Sequence, residues 1–329
     1  METFLDLLFV VGAALAVLSC AVLALLFLVR RESVRRWALY AAAALGFTGV
    51  GVADAATPQG NRLQEFIETG KHAGMEWMAR HLPARLNPEL VLPGVRRVIM
   101  LTYEYPRQDS RTAPGCIARY AQGEDYHKLL AGKLADLDET LQFYGGTQRT
   151  FTDSGPVSER FFAAQAGLGW IGRNGLLIRP RGGSYFFLAS ILTTLELPVD
   201  APMPNHCGNC HRCETACPTG ALKDGCCDAR RCLSYWTIES KTPPPPDIAA
   251  AQQEHLYGCD ACQEACPWNR LPSPHRIDPH LLMTATLAET APAQLAELTG
   301  DSFEHFFAGS PIRRIGPEHL RSNIANGNF

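Results

Sequence analysis

The pattern of apolar and polar positions beyond Ser33 predicts a domain in which helices alternate with strands. Apolar, β-branched runs indicate strands, and longer stretches with one apolar face indicate helices. The predicted helices are 35–45, 61–81, 126–144 and 158–166, and the predicted strands are 46–52, 97–102, 149–153, 176–179 and 184–195. Such an alternation is typical of a layered α/β or α+β domain.

The beginning of the chain has a different pattern. Residues 7–29 form a run of 23 positions without a charged side chain, which as a helix rising about 1.5 Å per residue would cross the roughly 30 Å hydrocarbon core of a bilayer. Arginines follow this run, so the positive-inside rule places the rest of the chain in the cytoplasm. We therefore predict an apolar helix within residues 1–32 that attaches a cytoplasmic protein to the inner membrane. A misassigned start site is the alternative interpretation.

Prolines mark the boundaries of the later segments. Pro198, Pro202 and Pro204 precede a segment rich in cysteine, and short helical patterns with further prolines follow Arg270. The predicted domains are the apolar segment 1–32, a first globular domain over 33–198, a cysteine-rich domain over 199–270, and a helical tail over 271–329.

Composition restricts the class of partner. The chain has 329 residues, 46% of them hydrophobic, and a formal net charge of -3. The hydrophobic fraction is sufficient for packed cores. The negative net charge excludes a protein that binds nucleic acid with its whole surface, so a nucleic-acid partner has to bind a local basic patch. The stretch 160–195 contains four arginines and no acidic residue, and it is either such a patch or an ordinary solvated surface.

The cysteines are clustered. Ten of the twelve lie between Cys207 and Cys266, whereas a disulfide framework would be dispersed through a small secreted domain. The run Cys207-x2-Cys210-x2-Cys213-x3-Cys217-Pro matches the bacterial ferredoxin pattern, in which the fourth cysteine binds the other of two 4Fe-4S clusters. A second run contains Cys259, Cys262 and Cys266.

The crossing pattern assigns the ligands of both clusters. Cys207, Cys210, Cys213 and Cys266 are predicted to hold one cluster, and Cys217, Cys232, Cys259 and Cys262 the other. Zinc is the alternative for paired CxxC motifs, but it leaves the CxxxCP spacing unexplained. Cys226 and Cys227 have no partner spacing, so we interpret them as spare.

Eight stretches resemble the epoxyqueuosine reductase family, which completes queuosine in tRNA. They occur in order from about Ser33 to the end of the chain: 70–80, 118–127, 153–160, 166–172, 184–188, 232–239, 258–269 and 310–316. The resemblance implies an α+β architecture, with a nitroreductase-like, cobalamin-binding catalytic domain over 33–198 and a ferredoxin-like domain with two 4Fe-4S clusters over 199–270.

The resemblance also implies the reaction and its site. The clusters pass electrons to cobalamin for reduction of the epoxide in tRNA-bound epoxyqueuosine, and Asp153 supplies the proton. Burial beside the corrin would raise the pKa of Asp153 and keep it protonated. Ser234 and Asp260 are implied corrin contacts, whereas His127 is left without a role. The expected partners are the tRNA and an external low-potential electron donor, and a monomer is expected.

Two other functions compete with this interpretation. One is a different corrinoid-dependent reductase, similar to reductive dehalogenases, which shares the two-part architecture. The other is a membrane-tethered ferredoxin-type electron carrier. A pure carrier does not need the residues between Ser33 and Leu197, whose apolar strands and glycine turns are suited to enclosing a ligand.

Overall fold

A computed structural model describes residues 31–107, 116–271, 273, 275–327 and 329. The predicted apolar helix and membrane attachment over residues 7–29 lie outside these residues. Within the described ranges, no helix is both long enough and apolar enough to cross a membrane.

The first half of the chain forms a mixed helical and sheet domain. Its helices are α1 (31–44), α2 (Arg62–Glu68), α3 (Glu76–Arg80), α4 (Leu82–Leu86), α5 (Tyr126–Gln142) and α6 (Glu159–Gln165). Its strands are β1 (Gly49–Asp54), β2 (Arg97–Glu104), β3 (Cys116–Ile117), β4 (Gln148–Phe151), β5 (Trp170–Ile171), β6 (Leu177–Ile178) and β7 (Phe186–Thr193).

The second half consists of shorter elements. Its helices are α7 (Arg212–Thr215), α8 (Pro246–Gln252), α9 (Ala261–Glu264), α10 (Ala285–Glu289), α11 (Pro292–Ala296), α12 (Gly300–Phe306) and α13 (Gly316–Asn326). Its strands are β8 (Leu222–Lys223), β9 (Cys226–Cys227) and β10 (His255–Tyr257). A π-helical turn, Tyr235–Glu239, follows the Cys-Leu-Ser sequence at 232–234.

The four-stranded sheet has the order β1-β2-β7-β4, and every neighbouring pair is antiparallel. The predicted central strand is therefore confirmed, since β2 pairs with both β1 and β7. Side chains alternate between the two faces of a strand. Ile99 and Leu101 pack with α1 and α5 on one face, and Val98 and Met100 pack with α6 on the other. Both faces of β2 are buried, which explains its continuous apolar sequence.

The predicted helix over 61–81 is wrong in its length. Two short helices, α2 and α3, are separated by turns at 70–74. Gly70 has φ of 67° and Ala73 has φ of 52°, so both lie in the left-handed region that interrupts a helix.

A third core connects the two halves of the chain. β3 pairs in parallel with β10, which brings the first domain against the cysteine-rich segment. Ile117 and Tyr257 pack there with Phe303, Phe307 and Leu320 of the last helices. The C-terminal helices therefore contribute to a buried core.

Candidate active site and cluster-binding segment

Four cysteines from two separate runs line one cavity of about 100 Å³. They are the predicted ligands of the first cluster, Cys207, Cys210, Cys213 and Cys266. α7 carries Cys213, and Cys266 immediately follows α9, so the packing of two short helices brings the two runs together. The structure thus assembles the set that the crossing pattern predicts.

The surroundings of this cavity fit an iron–sulfur cluster. Asn174 lines the cavity, and its buried Nδ2 has no hydrogen-bond partner. Trp170 packs in a small apolar group with Cys266, and its buried Nε1 also lacks a partner. Buried donors are ordinarily paired, and hydrogen bonds to cluster sulfur atoms are a usual pairing in such sites. Both donors are therefore suited to sulfur atoms of a bound cluster.

The second set of cysteines also lies together. The pKa of Cys259 is raised to about 12, chiefly by burial and in smaller part by the neighbouring thiols of Cys232 and Cys217. The pKa of Cys262 is raised chiefly by burial and also by Cys259 and Cys232. These mutual effects place all four predicted ligands of the second cluster in one neighbourhood.

Cys227, interpreted as spare from its spacing, lies beside a predicted cluster ligand. Its thiol forms a hydrogen bond with Cys232, which lowers the pKa of Cys232 to about 6 and raises that of Cys227. The β8–β9 hairpin positions Cys227 there. Spacing gives no indication of this contact, because Cys227 belongs to neither cysteine run.

No three His, Cys, Asp or Glu side chains in the described ranges converge closely enough to bind a single metal ion. A mononuclear zinc site needs its ligands around one atom. A 4Fe-4S cluster instead takes one thiolate at each of its separate iron atoms. The CxxxCP spacing, which zinc leaves unexplained, is what favours a cluster here.

Asp153 lies in the loop between β4 and α6, with its backbone in the left-handed region at φ of 56°. This region is uncommon for residues other than glycine, although aspartate tolerates it better than most. Its side chain is 60% exposed, and Oδ2 lies 3.4 Å from Nε2 of His127. The hydrogen bond with His127 lowers the pKa of Asp153 below its ordinary value. This direction is opposite to the predicted one.

His127 connects Asp153 to a second carboxylate. Its Nδ1 lies 2.7 Å from Oδ1 of Asp125, the N-cap of α5, which also accepts the backbone N–H of His127 at 3.0 Å. The hydrogen bonds with Asp125 and Asp153 raise the pKa of His127 to about 9. The imidazole is therefore protonated near neutral pH. Its ring stacks on Tyr126, which stacks in turn on Phe187 of the sheet.

Asp260 is engaged by protein groups. Its Oδ2 accepts the backbone N–H of Arg119 at 2.8 Å and lies 3.4 Å from the guanidinium of Arg119, while Oδ1 accepts an N–H of Gln263 at 3.0 Å. Burial raises the pKa of Asp260, and Arg119 opposes this rise. Two N–H donors and the buried guanidinium of Arg119 favour the ionised form. Arg119 also pairs with Glu264 and lies over the ring of Tyr185.

Ser234 faces a predicted cluster ligand. Both its backbone and its side chain form hydrogen bonds with the thiol of Cys232. The structure thus gives Ser234 and Asp260 protein partners, and their roles as corrin contacts stay predictions.

Two of the resembling stretches meet through polar side chains. Ser184 Oγ donates to Gln263 at 2.9 Å and accepts from Asn269 at 2.9 Å. The backbone N–H of Ser184 donates to Asn269 Oδ1 at 2.6 Å. This network ties the cysteine-rich segment to the start of β7, so it holds the second cysteine run in place against the sheet.

The stretch 70–80 leaves a buried polar atom for a ligand. Lys71 accepts the backbone N–H of Ala229, and Gly74 donates to the hydroxyl of Tyr235, so this stretch packs beside Cys232. Within it, the buried Nδ1 of His72 has no partner. A polar ligand such as a corrin fits this requirement, and the exposed carboxylate of Asp153 is likewise open to a ligand.

The site contains residues to which the sequence analysis gave no role, namely Tyr126, His127 and Glu159. All three lie in resembling stretches, 118–127 and 153–160, and that is the only signal in the sequence. Their partnership depends on α5, β4 and α6 meeting at one edge of the sheet.

An α+β domain that meets a segment with two cysteine sets defines an iron–sulfur oxidoreductase. Residues 206–269 match the family described as 4Fe-4S double cluster binding domain, and residues 85–154 match the family described as epoxyqueuosine reductase QueG, DUF1730. The epoxyqueuosine reductase of Vibrio cholerae is 40% identical over 311 residues, which are 90% of this chain and 83% of that protein. The chain belongs to the epoxyqueuosine reductase family.

Other relatives and solved structures agree. The epoxyqueuosine reductase of Escherichia coli is 39% identical over 89% of this chain and 79% of its own length. An epoxyqueuosine reductase solved with an epoxyqueuosine-modified tRNA-Tyr stem loop superposes with a TM-score of 0.83 at 27% identity, covering 90% of this chain and 80% of that one. The Bacillus subtilis enzyme, solved with its catalytic aspartate loop swung out of the active site, gives 0.82 at 28% identity over 90% and 81%.

Proposed function

We propose that this chain reduces epoxyqueuosine to queuosine in tRNA, with electrons passing from two 4Fe-4S clusters to cobalamin. The observation that carries the proposal is the identity of 40% to an epoxyqueuosine reductase across 90% of the chain. The match spans the Asp153 loop as well as the cysteine-rich segment, so it covers both parts of the candidate site. An electron carrier would need only the cysteine-rich segment.

The clusters have the ligand sets that spacing predicts. Cys207, Cys210, Cys213 and Cys266 hold the first, which is supported by the cavity that they line. Cys217, Cys232, Cys259 and Cys262 hold the second, which is supported by the mutual effects of their thiols. An external low-potential donor supplies the electrons, and a monomeric, nitroreductase-like protein stays the prediction of the resemblance.

Cobalamin, when bound, supplies low-potential reducing chemistry to the epoxide. Its protein contacts are Ser234, Asp260 and the unpaired Nδ1 of His72, and the proposal for His72 is supported by its burial without a partner. For Ser234 and Asp260 it is supported by their places beside cluster ligands.

Asp153 and His127 form the proton-donating pair. Loss of the epoxide oxygen as water consumes protons as well as electrons, and a donor has to be protonated at working pH. Asp153 has its carboxylate open to solvent, and His127 stores a proton because its pKa is raised to about 9. Because Asp153 is ionised beside the protonated His127, the proton that the reaction uses is the one held on His127. Asp153, whose carboxylate is open to solvent, contacts the substrate and passes this proton from His127 to the departing oxygen. The Bacillus subtilis relative was solved with its catalytic aspartate loop swung out of the active site, whereas the Asp153 carboxylate here lies against His127.

The test is anaerobic incubation of the cluster-loaded protein with cobalamin, a low-potential reductant and epoxyqueuosine-containing tRNA, followed by nucleoside mass spectrometry. Conversion is expected to depend on cobalamin and to fall at least 100-fold, on the scale of a lost general acid, in Asp153→Asn. Asp224→Asn is the matched control, because Asp224 is an exposed aspartate with φ of 51°. Absence of conversion by protein with intact clusters and bound cobalamin would direct attention to another reductive substrate.

A further inference from the structure

The side chain of Glu159 holds the backbone of Asp153. The N–H of Asp153 points at both carboxylate oxygens of Glu159, at 3.3 Å from Oε1 and 3.2 Å from Oε2. A residue in the left-handed region persists there only when its surroundings fix it. The contacts with Glu159 therefore connect the Asp153 N–H to the other side of the loop.

Rigid elements fix Glu159 in turn. It is the first residue of α6, whose Phe162 and Ala163 are fully buried against the sheet. On the other side, Ser190 Oγ in β7 donates to Glu159 Oε1 at 3.4 Å. Burial raises the pKa of Glu159 to about 8, and the charge of Asp153 adds to this rise. An acceptor oxygen faces the Asp153 N–H whether Glu159 is neutral or ionised.

The loop around Asp153 has little freedom of its own. Ser154 donates its N–H to Thr152 at 2.6 Å, which makes a tight turn. A Cβ at Gly155 would lie 2.3 Å from the ring of Phe151, so the chain crosses the end of β4 in close contact. The direction in which the Asp153 carboxylate points therefore follows from its backbone conformation.

We propose that Glu159 is a positioning residue that holds Asp153 in the left-handed region and so keeps its carboxylate against His127. The inference rests on the proposed role of Asp153 in the reaction. Without Glu159, the Asp153 N–H loses its acceptor, and the carboxylate turns away from His127.

The test is the titration of the His127 imidazole, measured by NMR in cluster-loaded protein with isotope-labelled histidine and assigned with His127→Gln. The charged groups that face His127 are Asp125 from its own helix and Asp153 from the loop. Glu159→Leu is expected to lower the titration midpoint of His127 to the value found in Asp153→Ala. Glu159→Gln keeps an acceptor oxygen and is expected to retain the original midpoint.

Two further variants keep the test decisive. Glu318→Leu is the matched control, since Glu318 is an exposed glutamate in the first turn of α13, and it is expected to leave His127 unchanged. If Glu159→Leu does not fold, Glu159→Asp keeps the charge and withdraws the carboxylate from Asp153, and the same fall is expected. An unchanged His127 midpoint in a folded Glu159→Leu or Glu159→Asp protein overturns the proposal.

Kinetics separate this inference from the proposed function. Glu159→Leu is expected to lower kcat on the order of 100-fold, the cost of a misplacement of about 1 Å, with KM for tRNA unchanged. A fall of the His127 midpoint with unchanged conversion would uphold the positioning by Glu159 and remove Asp153 from the reaction. Because the titration needs neither cobalamin nor tRNA, its result stands even if the wild-type protein converts no epoxyqueuosine.

Discussion

The buried pair of Arg119 and Asp260 allows a sharp test of how the two halves of the chain are joined. The side chains are 7% and 10% exposed, so neither charge is well solvated. Replacing one partner of a buried ion pair leaves the other charge buried and unpaired, which typically costs about 3–5 kcal/mol. We expect Arg119→Met and Asp260→Leu each to lower the free energy of unfolding by about that amount.

The double variant separates the interaction between Arg119 and Asp260 from the contacts that each residue makes with other groups. With both groups replaced by apolar side chains, neither charge is stranded, so the loss should fall short of the sum of the single losses by about 1–3 kcal/mol. The destabilisation that remains in the double variant has two causes: the backbone N–H of Arg119 loses its acceptor, and Glu264 loses its ion-pair partner.

Anaerobic urea unfolding at pH 7, followed by tryptophan fluorescence at equal cluster content, measures these losses. Arg313→Met is the control, because Arg313 pairs with Glu304 and the side chains are 56% and 46% exposed. An exposed pair contributes about 0–1 kcal/mol. The reasoning fails if Asp260→Leu retains full stability and loses only cobalamin affinity, since the carboxylate would then be a ligand contact.

Three further perturbations have defined outcomes. Cys227→Ala should make the reduction potential of one cluster more negative at unchanged iron content, because it removes a hydrogen bond to a ligand sulfur that favours the reduced cluster. An EPR-monitored redox titration measures this potential. The raised pKa of His127 should add stability that is fully present below pH about 6.5 and is lost as pH rises through about 9. Because the side chain is partly exposed, solvent screening limits this contribution to about 1–2 kcal/mol. His127→Gln should therefore flatten the pH–stability curve between these two pH values. Gly51→Ala should destabilise the protein by about 1–3 kcal/mol, because the new Cβ would lie 2.2 Å from a carbonyl oxygen next to α6. Gly132→Ala, in open space on α5, should instead stabilise it by about 0.5–1 kcal/mol. Thermal unfolding measures both changes.

The sequence predicted the features that depend on neighbouring positions. The strands β2 and β7 and the helix α5 follow from local apolar patterns: both strands are buried along almost their whole length, and α5 buries one face. The first cluster set also follows from spacing, since only a few residues separate the cysteines within each run. The break between α2 and α3 escaped prediction because Ala73 takes a left-handed conformation that its side chain does not favour.

Contacts between distant segments were decided by the tertiary structure. Arg119 and Asp260 are 141 positions apart, and no local pattern indicates that they pair. The pKa of Asp153 likewise depends on His127, which reaches it from another element 26 positions earlier. Spacing determines which groups one turn or one cluster can hold, whereas charge and hydrogen bonding depend on what the folded chain brings within a few ångströms. The sequence therefore determined the cysteine chemistry of this protein, and the fold decided the protonation and anchoring of its candidate acid.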